Sequence, residues 1–181
     1  MSKVYLFLAE GNEEIEALTV VDLLRRAGID LKTVSIGEDK RVTGSHNISY
    51  YADITLDEAS DTADMLVLPG GMPGTRYLGE CEKLMSMVKK QYEEGRYVAA
   101  ICAAPTVFGN LGILDDKKAT CYPGMMDKLI AKEKLTDSVV VDGNVITSRG
   151  LGTAIDFSLK MIELLISKEK ADEIATSVVY K

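Results

Sequence analysis

The chain has 181 residues, 46% hydrophobic and 27% charged, the balance of a soluble globular protein long enough to bury a substantial core. A net charge of −7, with no basic run interleaved with aromatics, argues against nucleic acid or a membrane surface as partner, and no apolar stretch is long enough to span a bilayer. The three cysteines, Cys81, Cys102 and Cys121, are widely spaced and form neither a disulfide framework nor a zinc pattern; with no export signal they read as free thiols in a reducing cytoplasm.

In chain order, Lys3–Ala9 reads as a buried strand, Glu13–Gly28 as a helix closed by its glycine, and Asp30–Ile36 as a second strand. Residues 41–56 carry short strands rich in β-branched and aromatic residues, and Asp57 is placed to cap a short helical piece after them. Met65–Gly71 is a strand ending in a glycine turn, Cys81–Gly95 a helix, Tyr97–Ile101 a strand ending at Cys102, and Pro105–Leu111 a helix. Lys117–Tyr122 reads as a strand, Met125–Lys132 as a short helix, and Ser138–Ser148 as a hairpin around Asp142-Gly143. Helices over Thr153–Ile166 and from Glu169 onward finish the chain. This alternation predicts one α/β domain, a mostly parallel sheet with helices on both faces. In such sheets the reacting groups sit beyond the carboxyl ends of strands, where both Cys102 and the Pro69-Gly70-Gly71 turn fall.

Three pieces carry chemistry. The first is "VAAICAAP", Val98–Pro105. A sharp strand-to-helix corner needs small residues two before and two after it, and Ala100 and Ala104 meet that need, although alanines also simply pack. A thiol at a helix amino terminus faces unpaired amides, which bring a cysteine pKa from about 8.5 toward roughly 3.5–7.5. The second is "VLPGGMPGT", Val67–Thr75, whose glycines let backbone amides point into a crevice; it matches no nucleotide-binding loop. The third is Glu16, which heads the helical stripe Val20, Leu23 and Ala27 and so points inward, while Glu13 and Glu14 serve the helix end in water. A buried carboxyl finds a partner or keeps its proton; a solvated first-turn acid is the alternative. The lone histidine, His46, lies in a polar turn-like segment without an acidic or cysteine partner at ligand spacing, so no metal site is expected.

Together "LAEGNEEIEALTVVDLLRRAGI", "LVLPGGMPGT", "AAICAAP" and "TSRGLGTAIDFSLKMIE" resemble, nearly end to end and in the same order, the ThiJ/PfpI superfamily and its branch typified by the parkinsonism-associated deglycase. The resemblance implies a flavodoxin-like three-layer fold, a Cys102 nucleophile, a protonated Glu16 hydrogen-bonded to its sulfur, an oxyanion site from the Gly71 and Ala103 amides, and a homodimer. It also places His46 near the pocket mouth and Arg26 near the dimer contact. Two positions depart from the pattern. Ala103 stands where the protease-like branch has histidine, which argues against peptidase activity. Tyr122 precedes Pro123 where the deglycase branch commonly has histidine, and a phenol is a poor base at neutral pH. The implied function is cofactor-independent conversion of α-oxoaldehydes such as methylglyoxal, or of glycated substrates, through a Cys102 hemithioacetal. A redox sensor or stress-response chaperone, with Cys102 oxidised to sulfinic acid, is the competing reading. Cys81 and Cys121 read as structural.

Overall fold

The apolar runs become strands whose two faces are both covered. The computed structural model describes residues 2–60 and 62–180. It runs β1 (Lys3–Leu8), α1 (Glu14–Arg26), β2 (Asp30–Ser35), β3 (Arg41–Thr43), β4 (Ser49–Tyr51), β5 (Ile54–Thr55), β6 (Met65–Leu68), α2 (Gly74–Glu80), α3 (Glu82–Glu93), β7 (Tyr97–Ile101) and α4 (Pro105–Asn110). There follow β8 (Lys118–Ala119), β9 (Glu133–Lys134), β10 (Val139–Asp142), β11 (Val145–Ser148), α5 (Ala154–Leu165) and α6 (Lys168–Ser177). The main sheet has the order β10-β11-β7-β6-β1-β2-β5, parallel except for the β10–β11 hairpin. Its five central strands follow the flavodoxin-like order, with the switch point between β1 and β6.

Strand alternation divides the core into two layers. Val4, Leu6 and Leu8 pack with the apolar stripes of α1, α5 and α6, while Tyr5 and Phe7 pack with Leu78, Leu84, Val88 and Phe108 from α2, α3 and α4. Because each face meets a helix layer, β1, β6 and β7 read as nearly continuous apolar runs. No helix among the described residues is long and apolar enough to cross a membrane.

Four local expectations change. Helix α2 was not anticipated, because Gly74 and Gly79 weaken its helical signal; it forms because Leu78 is fully buried in the core. Met125–Lys132 makes no α-helix: a 3₁₀ turn spans Pro123–Met125 and irregular turns follow. The strand expected over Lys117–Tyr122 shrinks to Lys118–Ala119, paired in parallel with Glu133–Lys134 outside the main sheet. Asp57 caps nothing; it lies within a 3₁₀ turn and pairs with Lys83 at 2.7 Å, while Glu58 accepts the Thr55 amide at 2.8 Å. The hairpin forms as expected, with Gly143 at φ 62° in its turn.

The carboxyl edge is drawn together by backbone bonds. The Glu13 amide donates to Gly70 O at 2.9 Å, joining the loops after β1 and β6, and Cys102 N donates to Ser148 O at 3.0 Å, joining the ends of β7 and β11. Three chain segments therefore converge at one edge.

Candidate active site

Cys102 adopts φ 65°, a left-handed conformation that costs a non-glycine residue about 1–2 kcal/mol. The conformation is held from both sides: its amide bonds Ser148, and its carbonyl accepts the Tyr122 amide at 2.8 Å. The chain then turns at once into α4 at Pro105. Ala100 and Ala104 are fully buried beside this corner, as the need for small neighbours requires. Gly70 closes the other side. A Cβ there would lie 2.6 Å from Cys102 Cβ and 2.7 Å from Glu16 Oε2, so only glycine lets the β6 loop approach the thiol and the acid together.

Glu16 is 1% exposed, and its side chain points inward as the helical phase predicted. Its Oε2 accepts the Gly70 amide at 3.0 Å; the Leu151 amide and the Cys102 thiol also hydrogen-bond it. Burial pushes this carboxyl up to about 7, aided by the Glu13 charge and opposed by those hydrogen bonds. Burial also pushes the Cys102 thiol up to about 12, with the Glu16 charge and hydrogen bond adding to it, while the Ala103 and Gly71 amides act in the opposite direction. The expected lowering by a helix end is thus reversed, because α4 is only six residues long and burial beside a carboxylate outweighs its dipole. The two groups titrate as a coupled pair: below about 7 both keep their protons, and above it one proton remains between them. With that proton on Glu16, the sulfur is a thiolate facing two backbone amides.

Gly71 sits at φ 88°, and a Cβ on it would come within 2.3 Å of Glu13 N. Only glycine can turn its amide toward the sulfur here.

The remaining candidates divide. Tyr122 does reach the site: its backbone holds the Cys102 carbonyl, and a point 3.6 Å from its ring and 3.7 Å from Glu16 Oε1 marks where a Gly150 Cβ would sit. His46 is exposed and binds Glu14, its amide donating to Oε1 at 2.7 Å and its Nδ1 lying 2.9 Å from Oε2. That carboxylate raises the His46 pKa; in return, hydrogen bonds led by His46 carry Glu14 below the usual carboxylate range despite its burial. Glu13 and Glu14 are therefore buried rather than solvated: Glu13 caps α1 by accepting the Glu16 amide at 2.7 Å. Glu13, Glu14 and His46 also form a group whose donor atoms lie within 4.8 Å of one another, the acidic company that sequence spacing did not reveal. Most of its oxygens are already committed, both of Glu14 to His46 and Oε2 of Glu13 to the cap. Arg26 pairs with Asp22 in the last turn of α1, about 15 Å along the helix from Glu16, and the fold does not bring it to this site. Cys81 is half-buried at the start of α3, and Cys121 is buried with its Sγ 3.4 Å from Tyr122 O.

Sequence reasoning placed Gly70 in the turn beside Cys102 without its contact to Glu16, and missed Leu151 and Gly150. The "SRGLG" run at Ser148–Gly152, another glycine-bearing strand end, was the available signal.

Residues 2–164 match the DJ-1/PfpI family. The chain belongs to this family. Among DJ-1/PfpI relatives, it is 43% identical to the Protein DJ-1 homolog B of Arabidopsis thaliana over 99% of its own length, spanning 42% of that longer protein. It is 34% identical to the glutathione-independent glyoxalase DJR-1.2 of Caenorhabditis elegans, covering 96% of this chain and 93% of that one. The oxidized DJ-1 of Toxoplasma gondii superposes with a TM-score of 0.96 at 36% identity, over 99% of both chains. Glu16, Gly70, Gly71, Cys102, Tyr122 and Leu151 all fall within the DJ-1/PfpI match.

Proposed function

We propose that the chain is a cofactor-independent thiol enzyme that isomerises α-oxoaldehydes such as methylglyoxal to hydroxy acids. The observation that carries this reading is the contact between Cys102 and the buried Glu16, a nucleophile and a proton carrier with a pKa near neutrality in one site. The name of the Caenorhabditis elegans relative agrees with it.

The Cys102 thiolate adds to the aldehyde carbon, whose oxygen takes the Glu16 proton and becomes the hemithioacetal hydroxyl while the Gly71 and Ala103 amides hold it. Glu16, now a carboxylate, removes the proton from that carbon and passes it to the ketone oxygen, giving an enediol. It then takes the proton of the hemithioacetal hydroxyl and delivers it to the neighbouring carbon, so that the first carbon becomes a thioester carbonyl and the second carries the new hydroxyl. The product is a thioester of a 2-hydroxy acid, and water hydrolyses it to release the acid and regenerate the thiol. One aldehyde and one water give one hydroxy acid, with no external oxidant or reductant. Tyr122 is not required as a base in this scheme.

The same geometry supports a second reading, oxidation of Cys102 to a sulfinic acid whose oxygens the Glu16 proton and the two amides would bind. A homodimer belongs to the proposal as well; exposed Ile15 and Leu18 on α1, with Ile48 and Tyr51 at the β3–β4 hairpin, supply apolar surface for it.

The test is lactate formation from methylglyoxal by the parent, Cys102→Ser and Glu16→Gln. Lactate from the parent, none from Cys102→Ser and a loss of about 10²–10⁴-fold in Glu16→Gln support the mechanism. A parent that forms no lactate would overturn it and leave the redox reading, which intact mass after mild peroxide then tests.

A further inference from the structure

Three large apolar side chains are half or more exposed, and each is within one residue of a backbone group that touches the reacting pair. Tyr122 is 50% exposed and its amide holds the Cys102 carbonyl; Leu151 is 52% exposed and its amide holds Glu16; Met72 is 56% exposed and follows Gly71, whose amide faces the sulfur. The chain neighbours of the thiol, Ala100, Ala103 and Ala104, are small and buried, so they offer a substrate no exposed apolar surface. The Tyr122 ring and Glu16 Oε1 lie 3.6 and 3.7 Å from the one point where a Gly150 Cβ would sit, which brings ring and carboxyl to the same place, and the Tyr122 hydroxyl has no hydrogen-bond partner among the described residues. A phenol with its ring against a glycine and its hydroxyl unbonded presents a flat face more than a proton donor.

Resting on the function proposed above, we infer that Tyr122 is a specificity-determining residue: with Leu151 it forms an apolar wall that favours α-oxoaldehydes carrying an aryl or bulky apolar group over methylglyoxal. The aldehyde carbon lies at Cys102 Sγ, and the substituent on the ketone carbon lies against the tyrosine ring. A ring-on-ring contact of this kind gives a preference of about two- to tenfold.

The test separates the wall from the turnover. Phenacyl bromide and bromoacetone alkylate a thiol in the same way: sulfur forms a bond to the methylene carbon and bromide leaves. They differ in a phenyl against a methyl group. The rates at Cys102, followed by peptide mass, are compared with those at mercaptoethanol. We expect Cys102 to favour phenacyl bromide by about two- to tenfold beyond the free thiol. The preference persists in Tyr122→Phe, falls toward that of the free thiol in Tyr122→Ala, and falls in part in Leu151→Ala. A parent with no excess preference, a Tyr122→Ala variant that keeps it, or a Tyr122→Phe variant that loses it would overturn the inference. The ratio of kcat/KM for phenylglyoxal over methylglyoxal should follow the same order. If neither aldehyde turns over while the alkylation preference stands, the isomerase reading falls and the aryl-accepting wall remains.

Discussion

Glu16, in the first turn of α1, and Cys102, at the end of β7, share a hydrogen bond beside Gly70, where a side chain would collide with both. The acid, the thiol and the glycine come from the ends of three different elements, and each constrains the other two. The energetic consequences are measurable apart from any catalysis.

Because burial raises the folded Glu16 to about 7 from 4.5, the folded state holds a proton that the unfolded chain releases. Its contribution is complete below about 4.5 and is lost as the pH rises through about 7. Glutamine cannot ionise and can still accept from the Gly70 amide. Glu16→Gln should therefore gain stability on the parent between pH 4.5 and 8, by up to about 3 kcal/mol at about 1.4 kcal/mol per unit. Urea unfolding of both proteins at the two pH values measures this, and an equal difference at each would count against a raised carboxyl.

The left-handed backbone at Cys102 should be visible in the choice of replacement. Alanine pays the positive-φ cost and glycine does not, so Cys102→Gly should be more stable than Cys102→Ala by about 1 kcal/mol in denaturant unfolding. An alanine variant as stable as the glycine variant would mean the corner relaxes when the thiol is removed.

Gly70→Ala should disturb the site more than the fold. The added methyl meets Cys102 Cβ at 2.6 Å and Glu16 Oε2 at 2.7 Å, both fixed groups. We expect a loss of about 1–3 kcal/mol in stability together with an altered rate of Cys102 alkylation. Wild-type alkylation kinetics in this variant would show that the β6 loop can withdraw without consequence.

His46 is the sole histidine, so its ring protons report one site. The Glu14 carboxylate raises its pKa, so that its share of stability is present below about 6.5 and is lost as the pH rises through the folded value. A proton NMR titration should give a higher pKa in the parent than in Glu14→Gln. Identical titrations would place His46 free of the carboxylate in solution.

Much of the site was legible in the chain. The inward phase of Glu16 followed from Val20, Leu23 and Ala27 on one helical stripe, and the alanines around Cys102 marked a tight corner; both readings hold in the fold. Local signals failed where a tertiary neighbour decided the outcome. Glu14 looked like a solvated first-turn acid, yet the β3–β4 turn closes over it and supplies His46 as its partner. The thiol pKa moved opposite to expectation because a helix end is a local feature, whereas burial and the Glu16 charge come from elsewhere in the chain.

Periodicity and strand–helix alternation thus determined the α/β class, the two-sided cover of the sheet and the inward direction of Glu16, since these depend on residue spacing along one element. Only the tertiary structure decided that Gly70, Leu151 and Tyr122 meet at the Cys102–Glu16 pair, and that both groups hold their protons more tightly there. Desolvation and charge–charge energy depend on which groups surround an atom in space, and no single segment of the chain carries that information.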